Sequence, residues 1–237
     1  MTRVSIAMAV YNGGKYLNEQ LGSIVNQLTE EDELIISDNM STDDSRDIIL
    51  SYAKLYPNIQ YYTCNEQGIL ANFESVISKC NGDYIFLADQ DDIWKEDKIE
   101  KVLQRFEETD ADLILHNCDY VDDFLIKENL TLFKDRDAVI GYKRNLIKNA
   151  YQGCCMAFKK ELVKWILPIP RNVAMHDQWI GLLAEKVGTV NFMEDCLILY
   201  RRHPGSYSSR HVGIVNKIKY MAFMNHEIQH RIQNVQR

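Results

Sequence analysis

The sequence has no long hydrophobic run. Across its 237 residues no apolar stretch approaches the roughly 20 residues that span a bilayer. The apolar segment Val4–Val10 is too short for the hydrophobic region of a signal peptide and is better explained as a buried strand. Hydrophobic residues still make up 46% of the chain, which excludes global disorder. This composition predicts one large α/β domain, or one domain with an appendage.

Several cofactor-binding patterns are also missing. The six cysteines form no CxxC pair and no zinc spacing, and several lie in apolar stretches, where a reduced thiol behaves as a small hydrophobic group. At this length a disulfide framework is not expected, so the pattern predicts a reducing, cytoplasmic compartment. Neither GxGxxG, nor a P-loop, nor the EF-hand spacing occurs. A nucleotide bound by this chain would therefore need carboxylates and a metal ion in place of a glycine-rich loop.

Charge is unevenly distributed along the chain. Residues 201–237 hold seven Lys and Arg against one acid, whereas the first 200 residues carry a net charge of −13. A nucleic-acid-binding domain presents a basic face, so this acidic body predicts no nucleic-acid partner. The basic tail instead suits contact with something anionic.

Short apolar strands alternate with segments whose apolar residues recur at helical spacing in residues 1–118. The predicted strands are Val4–Val10, Leu34–Ile36, Ile59–Tyr62, Tyr84–Ala88 and Leu113–Leu115. Repeated β-α units with short connections predict a doubly wound, mostly parallel sheet. In such sheets, ligands bind at the carboxyl ends of the strands, where Tyr11, Asp38 and Asp89–Asp92 lie.

The second half has a less regular pattern. Residues 119–150 are polar and mixed, and predict a long excursion over the sheet. Asp177–Val187 is a predicted helix and Leu197–Tyr200 a predicted strand. From Ile214 onward, apolar residues form a helical stripe flanked by basic residues.

The acidic cluster Asp89-Gln90-Asp91-Asp92 directly follows the predicted central strand. Three carboxylates within four residues repel one another unless a cation or hydrogen-bond donors compensate. A solvated acidic turn before a helix is the alternative explanation. The position after a buried strand favours a site for Mg²⁺ or Mn²⁺, which take carboxylate oxygens and leave positions open for phosphate.

Four motifs in order resemble those of family 2 glycosyltransferases, and they cover about the first 110 residues. Ala9–Leu17 (AVYNGGKYL) is similar to the opening strand and loop, and Ile35–Asp43 (IISDNMSTD) to the "VDDGSTD" element. Asn65–Asn72 (NEQGILAN) resembles the "N-x-G…N" segment, and Leu87–Trp94 (LADQDDIW) the "DQDDIW" variant of the DxD motif. The resemblance implies a GT-A-type fold and an inverting, metal-dependent sugar transfer.

The resemblance also implies roles for individual residues. Tyr11 would stack on the nucleobase and Asp38 would accept a hydrogen bond from it, although a core tyrosine and a helix cap are the simpler explanations of each alone. Asp89 or Asp91 would hold the ribose, with Asp91 and Asp92 near the metal. The implied nucleotide-sugar-binding residues of this part are Ala9, Tyr11, Asp38, Gly68, Asn72, Asp89 and Gln90.

Asp177, in the segment Met175–Trp179, is the predicted catalytic base. Inverting transfer needs a carboxylate that takes the proton of the acceptor hydroxyl, and a helix N-terminus favours the ionised form. The segment resembles the family's "(E/H)D" motif, with His-Asp in place of the Glu-Asp of many members. An ordinary helix cap is the alternative.

A second basic element, Tyr200–Ser206, resembles the family's "YR-x-H" segment. The resemblance implies that His203 contacts the metal or the diphosphate, while a surface histidine is the alternative. Arg201 or Arg202 would neutralise the leaving nucleoside diphosphate.

The predicted organisation has three parts. Residues 1–118 form the nucleotide-sugar-binding half, residues 119–210 the acceptor-binding half with the base, and residues 211–237 a basic amphipathic helical segment. This tail is either packed on the domain or in contact with the inner face of the membrane, where a lipid-diphosphate-linked acceptor would lie.

The resemblance therefore implies transfer of a hexose from a UDP- or dTDP-linked donor to a saccharide acceptor, as in O-antigen, capsule or other surface polysaccharide synthesis. A nucleotide-sugar-binding protein of the same fold without turnover is the alternative, and Asp177 argues against it. A nucleotidyltransferase is disfavoured because the first strand lacks a Gly-rich, Lys/Arg-bearing signature.

Overall fold

The computed structural model describes residues 3–203, 205 and 214–235, and the side chains of all of these except 214–218. The strands are β1 (Val4–Val10), β2 (Glu33–Asp38), β3 (Ile59–Thr63), β4 (Tyr84–Ala88), β5 (Ile93–Trp94), β6 (Leu113–Val121), β7 (Lys127–Thr131), β8 (Met156–Lys159) and β9 (Val190–Arg201). The helices are α1 (Gly14–Val25), α2 (Ser45–Leu55), α3 (Ile69–Ile77), α4 (Lys98–Thr109), α5 (Leu132–Arg136), α6 (Tyr142–Ile147), α7 (Val163–Ile166), α8 (His176–Val187) and α9 (Ile214–Val235). Two short 3-10 turns cover Gly153–Cys155 and Lys160–Leu162.

All nine strands belong to one sheet, in the order β3-β2-β1-β4-β8-β6-β9-β5, with β7 paired to β6. The pairs among β1, β2, β3 and β4 are parallel, and β6 is parallel to β9. Strand β8 is antiparallel to both β4 and β6, so β6 and β9 point the same way as the first four strands. The predicted α/β fold with a mostly parallel sheet is confirmed.

The core lies on both faces of the first four strands. Strand β2 is buried throughout and β1 almost throughout, as expected for strands covered by helices on each side. On one face, α1 contributes Leu17, Leu21 and Ile24, which recur at helical spacing and are fully buried. This packing fixes the carboxyl ends of β1, β2 and β4 at one edge of the sheet.

Residues 119–150 do not form the long excursion over the sheet that the sequence predicted. They continue β6 to Val121, form the hairpin strand β7, and then form α5 and α6. The predicted boundary at residue 118 thus falls within β6, and the three-part division itself stays a prediction. Strands β5 and β8 were not predicted, because two and four residues are too few to show a period.

The apolar stripe of the C-terminal segment packs against the domain. In α9, Met224 and Ile228 are buried in the core. The guanidinium of Arg231 donates to the carbonyls of Trp165, Leu167 and Pro168. Among the described residues, no helix is long and apolar enough to cross a membrane. The basic residues Arg210 and Arg237 and the side chain of Lys217 lie outside the described part.

Candidate functional site

The acidic cluster lies at the carboxyl end of β4, and its backbone is held by amide side chains. The Gln90 side chain accepts a hydrogen bond from the Tyr11 backbone N–H at 2.7 Å and donates to the Tyr11 carbonyl at 3.0 Å. The carbonyl of Asp89 accepts a hydrogen bond from Gln20 of α1 at 2.6 Å. These bonds fix the loop after β4 against the loop after β1, as the sheet order predicts.

Asp91 is directed toward the C-terminal half of the chain. Its carboxylate lies 2.9 Å from Nε2 of His203, which follows β9. The imidazole also packs on the ring of Tyr16, with 4.8 Å between the ring centroids. Two residues separated by 112 positions thus bring a carboxylate and an imidazole to one point, and both are ligands of divalent transition metals.

Asp92 is directed into the protein and is fully buried. One carboxylate oxygen accepts a hydrogen bond from the backbone N–H of Arg201 at 3.1 Å. Burial, together with the charges of Asp91 and Asp89, raises the pKa of Asp92 well above its usual range. The side chains of Asp89, Asp92 and Cys154 form a compact group in which each offers a ligand atom within 4.8 Å of the others.

The pair Asp91 and His203 suits Mg²⁺ or Mn²⁺ better than the group Asp89, Asp92 and Cys154 does. Burial raises the pKa of the Cys154 thiol well above its usual value, so the inner group offers a protonated sulfur to ions that prefer oxygen. Asp91 and His203 are only partly buried, and they offer the oxygen and nitrogen ligands that divalent transition metals accept. The chemistry of the donors therefore fits a metal at Asp91 and His203, with Asp92 behind it.

A buried lysine lies beneath the acidic loop. Lys98 is fully buried at the start of α4, and its ammonium donates to the Cys154 carbonyl at 2.9 Å and lies 3.6 Å above the ring of Trp94. Burial lowers the pKa of Lys98 to about 8, and the charge of Asp92 opposes that effect. Lys98 thus provides a positive charge near the carboxylates of Asp89 and Asp92.

Arg201 forms a hydrogen bond to the backbone of the acidic loop. Its guanidinium donates to the backbone carbonyls of Asp91 at 2.9 Å and Asp123 at 3.1 Å. It also forms an ion pair with Glu19 at 2.6 Å, and the residue is almost completely buried. Removing this side chain would leave buried carbonyls without a partner.

Arg202 is more exposed and lies on the other side of β9. Its guanidinium pairs with Glu128 at 3.2 Å and Asp135 at 2.9 Å, and stacks on Tyr120 at 3.6 Å. The structure therefore places both predicted diphosphate-binding arginines in contacts with the protein itself.

The predicted nucleobase residues lie after β1 and β2. Tyr11 is 58% exposed, so its ring is available for stacking. Asp38 is buried, and its carboxylate accepts hydrogen bonds from the Ser41 hydroxyl at 2.5 Å and the Tyr61 hydroxyl at 3.2 Å. Its oxygens are thus positioned by two hydroxyl groups at the edge of the sheet.

The remaining residues that were predicted to bind the nucleotide sugar are Asn72, Gly68 and Ala9, and the first two make hydrogen bonds that hold the local backbone. Asn72 is buried in α3 and donates to the Val10 carbonyl at 3.0 Å, which holds the end of β1. Gly68 has a φ of +117°, which favours glycine, and donates its N–H to Asn39 at 2.8 Å. Ala9 is a partly buried residue of β1.

Asp177 is the second residue of α8 and is buried. Its carboxylate accepts hydrogen bonds from the Gln178 backbone N–H at 2.5 Å and from Asn149 at 3.4 Å. Burial raises the pKa of Asp177, whereas the nearby positive charge of Arg136 lowers it. Burial also raises the pKa of Asp89 to about 7, assisted by the charges of Asp91 and Asp177. Asp89 and Asp177 are thus close enough to interact.

His176 packs as an uncharged ring. It stacks on Phe73 with 3.6 Å between centroids, and neither ring nitrogen has a hydrogen-bond partner among the described residues. A side chain on Gly153 would come within 2.6 Å of Nε2, so glycine is required there. Burial lowers the pKa of His176 to about 3, which makes the imidazole neutral at neutral pH.

Sequence reasoning missed four residues of this site: Arg136, Asn149, Cys154 and Lys98. The first three lie between β7 and β8, where no motif marks them. Lys98 did carry a signal, because it lies four residues before Val102 and therefore on the apolar face of α4.

The chain was compared with protein families and with curated relatives. The model of Glycosyl transferase family 2 matches residues 5–167. The putative teichuronic acid biosynthesis glycosyltransferase TuaG of Bacillus subtilis is 28% identical over 216 residues, which are 87% of this chain and 81% of TuaG. The dTDP-rhamnosyl transferase RfbG of Shigella flexneri is 26% identical over 240 residues, which are 93% of this chain and 80% of RfbG. An uncharacterised glycosyltransferase of Nostoc is 28% identical, but the chain spans only 65% of its length.

Two solved structures share the fold. TarS of S. aureus, crystallised with UDP-GlcNAc, has a TM-score of 0.72 at 16% identity and matches 94% of this chain and 65% of the TarS chain. The mannosyltransferase PcManGT of Pyrobaculum calidifontis, in complex with GDP-Man and Mn²⁺, has a TM-score of 0.65 at 15% identity, over 99% of this chain and 73% of its own. The predicted GT-A fold is confirmed.

The family match includes the loops after β1, β2 and β4 but ends before Asp177 and His203. The matched segment is well over half of the chain, and it contains all four motifs that the sequence offered. The chain belongs to glycosyl transferase family 2.

Proposed function

We propose that the chain is an inverting glycosyltransferase that moves a hexose from a nucleotide-diphosphate sugar to a hydroxyl group of a saccharide acceptor. The donor is a UDP- or dTDP-linked sugar, and the reaction depends on Mn²⁺ or Mg²⁺. The enzyme acts in the synthesis of a bacterial surface polysaccharide such as O-antigen or capsule. The names of two relatives, the putative teichuronic acid biosynthesis glycosyltransferase TuaG and the dTDP-rhamnosyl transferase RfbG, support this setting.

One feature carries the proposal: the carboxylate of Asp177 lies near the acidic loop, although the two are separated by about 85 residues. The charge of Asp177 contributes to the raised pKa of Asp89, which indicates that the two carboxylates are close to each other. A pure nucleotide-binding protein needs the acidic loop but has no need of a second carboxylate facing it. Sugar transfer needs both.

Asp91 and His203 would hold the metal ion, and Asp92 would support them from behind. The ion would neutralise charge on the donor diphosphate. The solved structure of PcManGT in complex with GDP-Man and Mn²⁺ supports a metal in this fold. Tyr11 and Asp38 would bind the nucleobase, and Asp89 the ribose. We propose that Arg201 supports the acidic loop, since its N–H groups already bind the Asp91 carbonyl and Glu19.

Asp177 would act as the general base. It accepts a backbone N–H and lies in the first turn of α8, and both features stabilise the ionised carboxylate. Burial opposes them and makes the carboxylate a stronger base than a solvated aspartate. Such a group can remove the proton of the acceptor hydroxyl as the oxygen attacks the anomeric carbon.

The acceptor would enter on the side of Asn149 and Arg136, next to the base. We propose a cytoplasmic enzyme whose acceptor is a saccharide linked to a lipid diphosphate at the inner face of the membrane. The excess of basic residues in 201–237 is the sequence feature that supports contact with an anionic surface, although Arg201, Arg202 and Arg231 are bound within the domain.

The test compares Asp177→Asn with the wild type in the presence of Mn²⁺. Donor binding is measured by the thermal shift that UDP- and dTDP-sugars produce, and turnover by hydrolysis or transfer. We expect the variant to keep donor binding and to lose on the order of 10²-fold or more in turnover, since this is what a general base contributes.

Asp97→Asn serves as the matched control, because Asp97 is a surface carboxylate paired only with Lys101 in the described chain. It should keep both binding and turnover. Equal turnover in Asp177→Asn and wild type would remove Asp177 from the mechanism. No thermal shift with any nucleoside diphosphate would overturn the proposed function as a whole.

A further inference from the structure

An exposed apolar patch lies on α6 and the loop that precedes it. Ile147 is 70% exposed, Ile140 51% and Val139 44%. Together they place three aliphatic side chains in solvent within nine residues. All three belong to one short segment, and exposed apolar side chains that lie together mark interaction surfaces.

The inner side of α6 is fixed by polar contacts. Asn145 is fully buried and donates to Glu185 of α8 at 2.7 Å, and Tyr142 donates its hydroxyl proton to Asn225 of α9 at 2.8 Å. Lys143 and Ile147 are four residues apart and therefore share the outer side of the helix. The patch is thus held in place and directed away from the core.

The charge of this segment is opposite to that of the body. Lys143 and Lys148 are exposed, and neither forms an ion pair within the described chain. The acid nearest to them in sequence, Asp137, is already paired with Arg144 at 2.6 Å. Two uncompensated ammonium groups therefore flank the exposed aliphatic side chains, on a protein whose net charge is −7.

This combination fits a lipid surface better than a protein partner. Protein interfaces are enriched in aromatic residues and arginine and depleted in lysine. An anionic bilayer surface accepts aliphatic side chains at the boundary of the acyl region and attracts lysine at the headgroups. Lysine can also extend its apolar stem along the boundary while its charge stays in water.

The C-terminal helix is less suited to this role. Its apolar residues Met224 and Ile228 are buried, and the guanidinium of Arg231 is bound to three carbonyls. By contrast, α6 is followed after one residue by Asn149, which bonds to Asp177. A surface bound through α6 would therefore lie beside the candidate base.

We infer that the patch formed by Val139, Ile140, Lys143, Ile147 and Lys148 docks the protein on an anionic lipid bilayer and presents the base to a membrane-borne acceptor. The choice of acceptor rests on the proposed function. The docking itself requires neither donor nor turnover, so the two can fail separately.

The experiment is co-sedimentation of the full chain with vesicles of phosphatidylcholine, with and without phosphatidylglycerol. We expect binding to the anionic vesicles that weakens as salt is added. The double variants Ile140→Ser/Ile147→Ser and Lys143→Gln/Lys148→Gln should each bind on the order of tenfold more weakly, and the second should lose most of the salt dependence.

The matched control is Leu50→Ser/Leu55→Ser, which removes two exposed aliphatic side chains from α2. It should bind as the wild type does. The thermal shift by UDP with Mn²⁺ should be the same in all variants, which checks that they fold and separates docking from donor binding.

Unchanged vesicle binding in both patch variants would overturn the inference, as would a wild type that binds no vesicles. Equal binding to neutral and anionic vesicles would remove the role of the lysines. A patch variant that changes the oligomeric state in sedimentation, with vesicle binding intact, would make the patch a contact between copies of the chain instead.

Discussion

The buried His176 makes the stability of this protein sensitive to acid in a way that can be calculated. The imidazole is stacked on Phe73 and is enclosed by the Gly153 turn. Burial lowers its pKa from 6.5 to about 3. In the unfolded chain the ring regains its ordinary pKa, so acid protonates the unfolded state before the folded one.

The sign and size follow from proton linkage. Because the folded pKa lies below the unfolded one, the stability contributed by neutral His176 is complete above about pH 6.5 and is lost as the pH falls toward 3. At about pH 5 the native ring is still neutral while nearly all unfolded chains carry the proton. The free energy of unfolding should therefore lose about 2 kcal/mol from this one group between pH 7.5 and pH 5.

The assay is urea unfolding of the wild type and His176→Leu at both pH values. Leucine has a similar volume and no proton to bind, so the variant should lose about 2 kcal/mol less than the wild type over this range. Other groups titrate in both proteins and cancel in the comparison. His226→Leu, which changes an exposed histidine, should behave as the wild type. Identical pH dependence in His176→Leu and wild type would refute the argument that this ring is buried uncharged.

Two further predictions concern arginines. Arg136 lowers the pKa of Asp177, so Arg136→Met should shift the acid limb of the pH profile of kcat/KM upward, whereas the neighbouring Lys134→Met should leave it in place. Arg231 donates to three backbone carbonyls, and Arg231→Met should lower the free energy of unfolding by about 2 to 4 kcal/mol in urea titrations, because charged hydrogen bonds are lost and the carbonyls lose their partner. The exposed His230→Ala on the same helix should change it by less than about 0.5 kcal/mol.

The position of the site could be predicted from the sequence because it follows from a rule about sheets. Tyr11, Asp38 and the acidic loop each follow an apolar strand, and parallel strands place their carboxyl ends at one edge. The direction of each side chain in a loop follows no such period. Asp91 and Asp92 are adjacent in sequence, yet one lies against His203 and the other is buried against the Arg201 backbone.

The contacts made by residues in the second half of the chain could not be predicted from the sequence for a related reason. Arg201 contacts residues 110 and 182 positions away, and no local pattern encodes such a distance. A basic residue after the last strand of a nucleotide-binding fold suggests a phosphate ligand, but the same charge can equally bind backbone carbonyls. Only the packing of β9 beside β6 decides between them.

The contacts of Arg201 and Lys98 explain how three carboxylates can be adjacent before any metal binds. Lys98 places a buried ammonium near Asp89 and Asp92, and Arg201 donates to the backbone carbonyl of Asp91. The protein thereby offsets part of the repulsion that would otherwise open the loop. The carbonyl of Asp91 is bound by Arg201, while its carboxylate faces His203, the partner with which we propose that it holds the metal. A loop held in this way would bind a metal without refolding, which is the arrangement expected of a preorganised donor site.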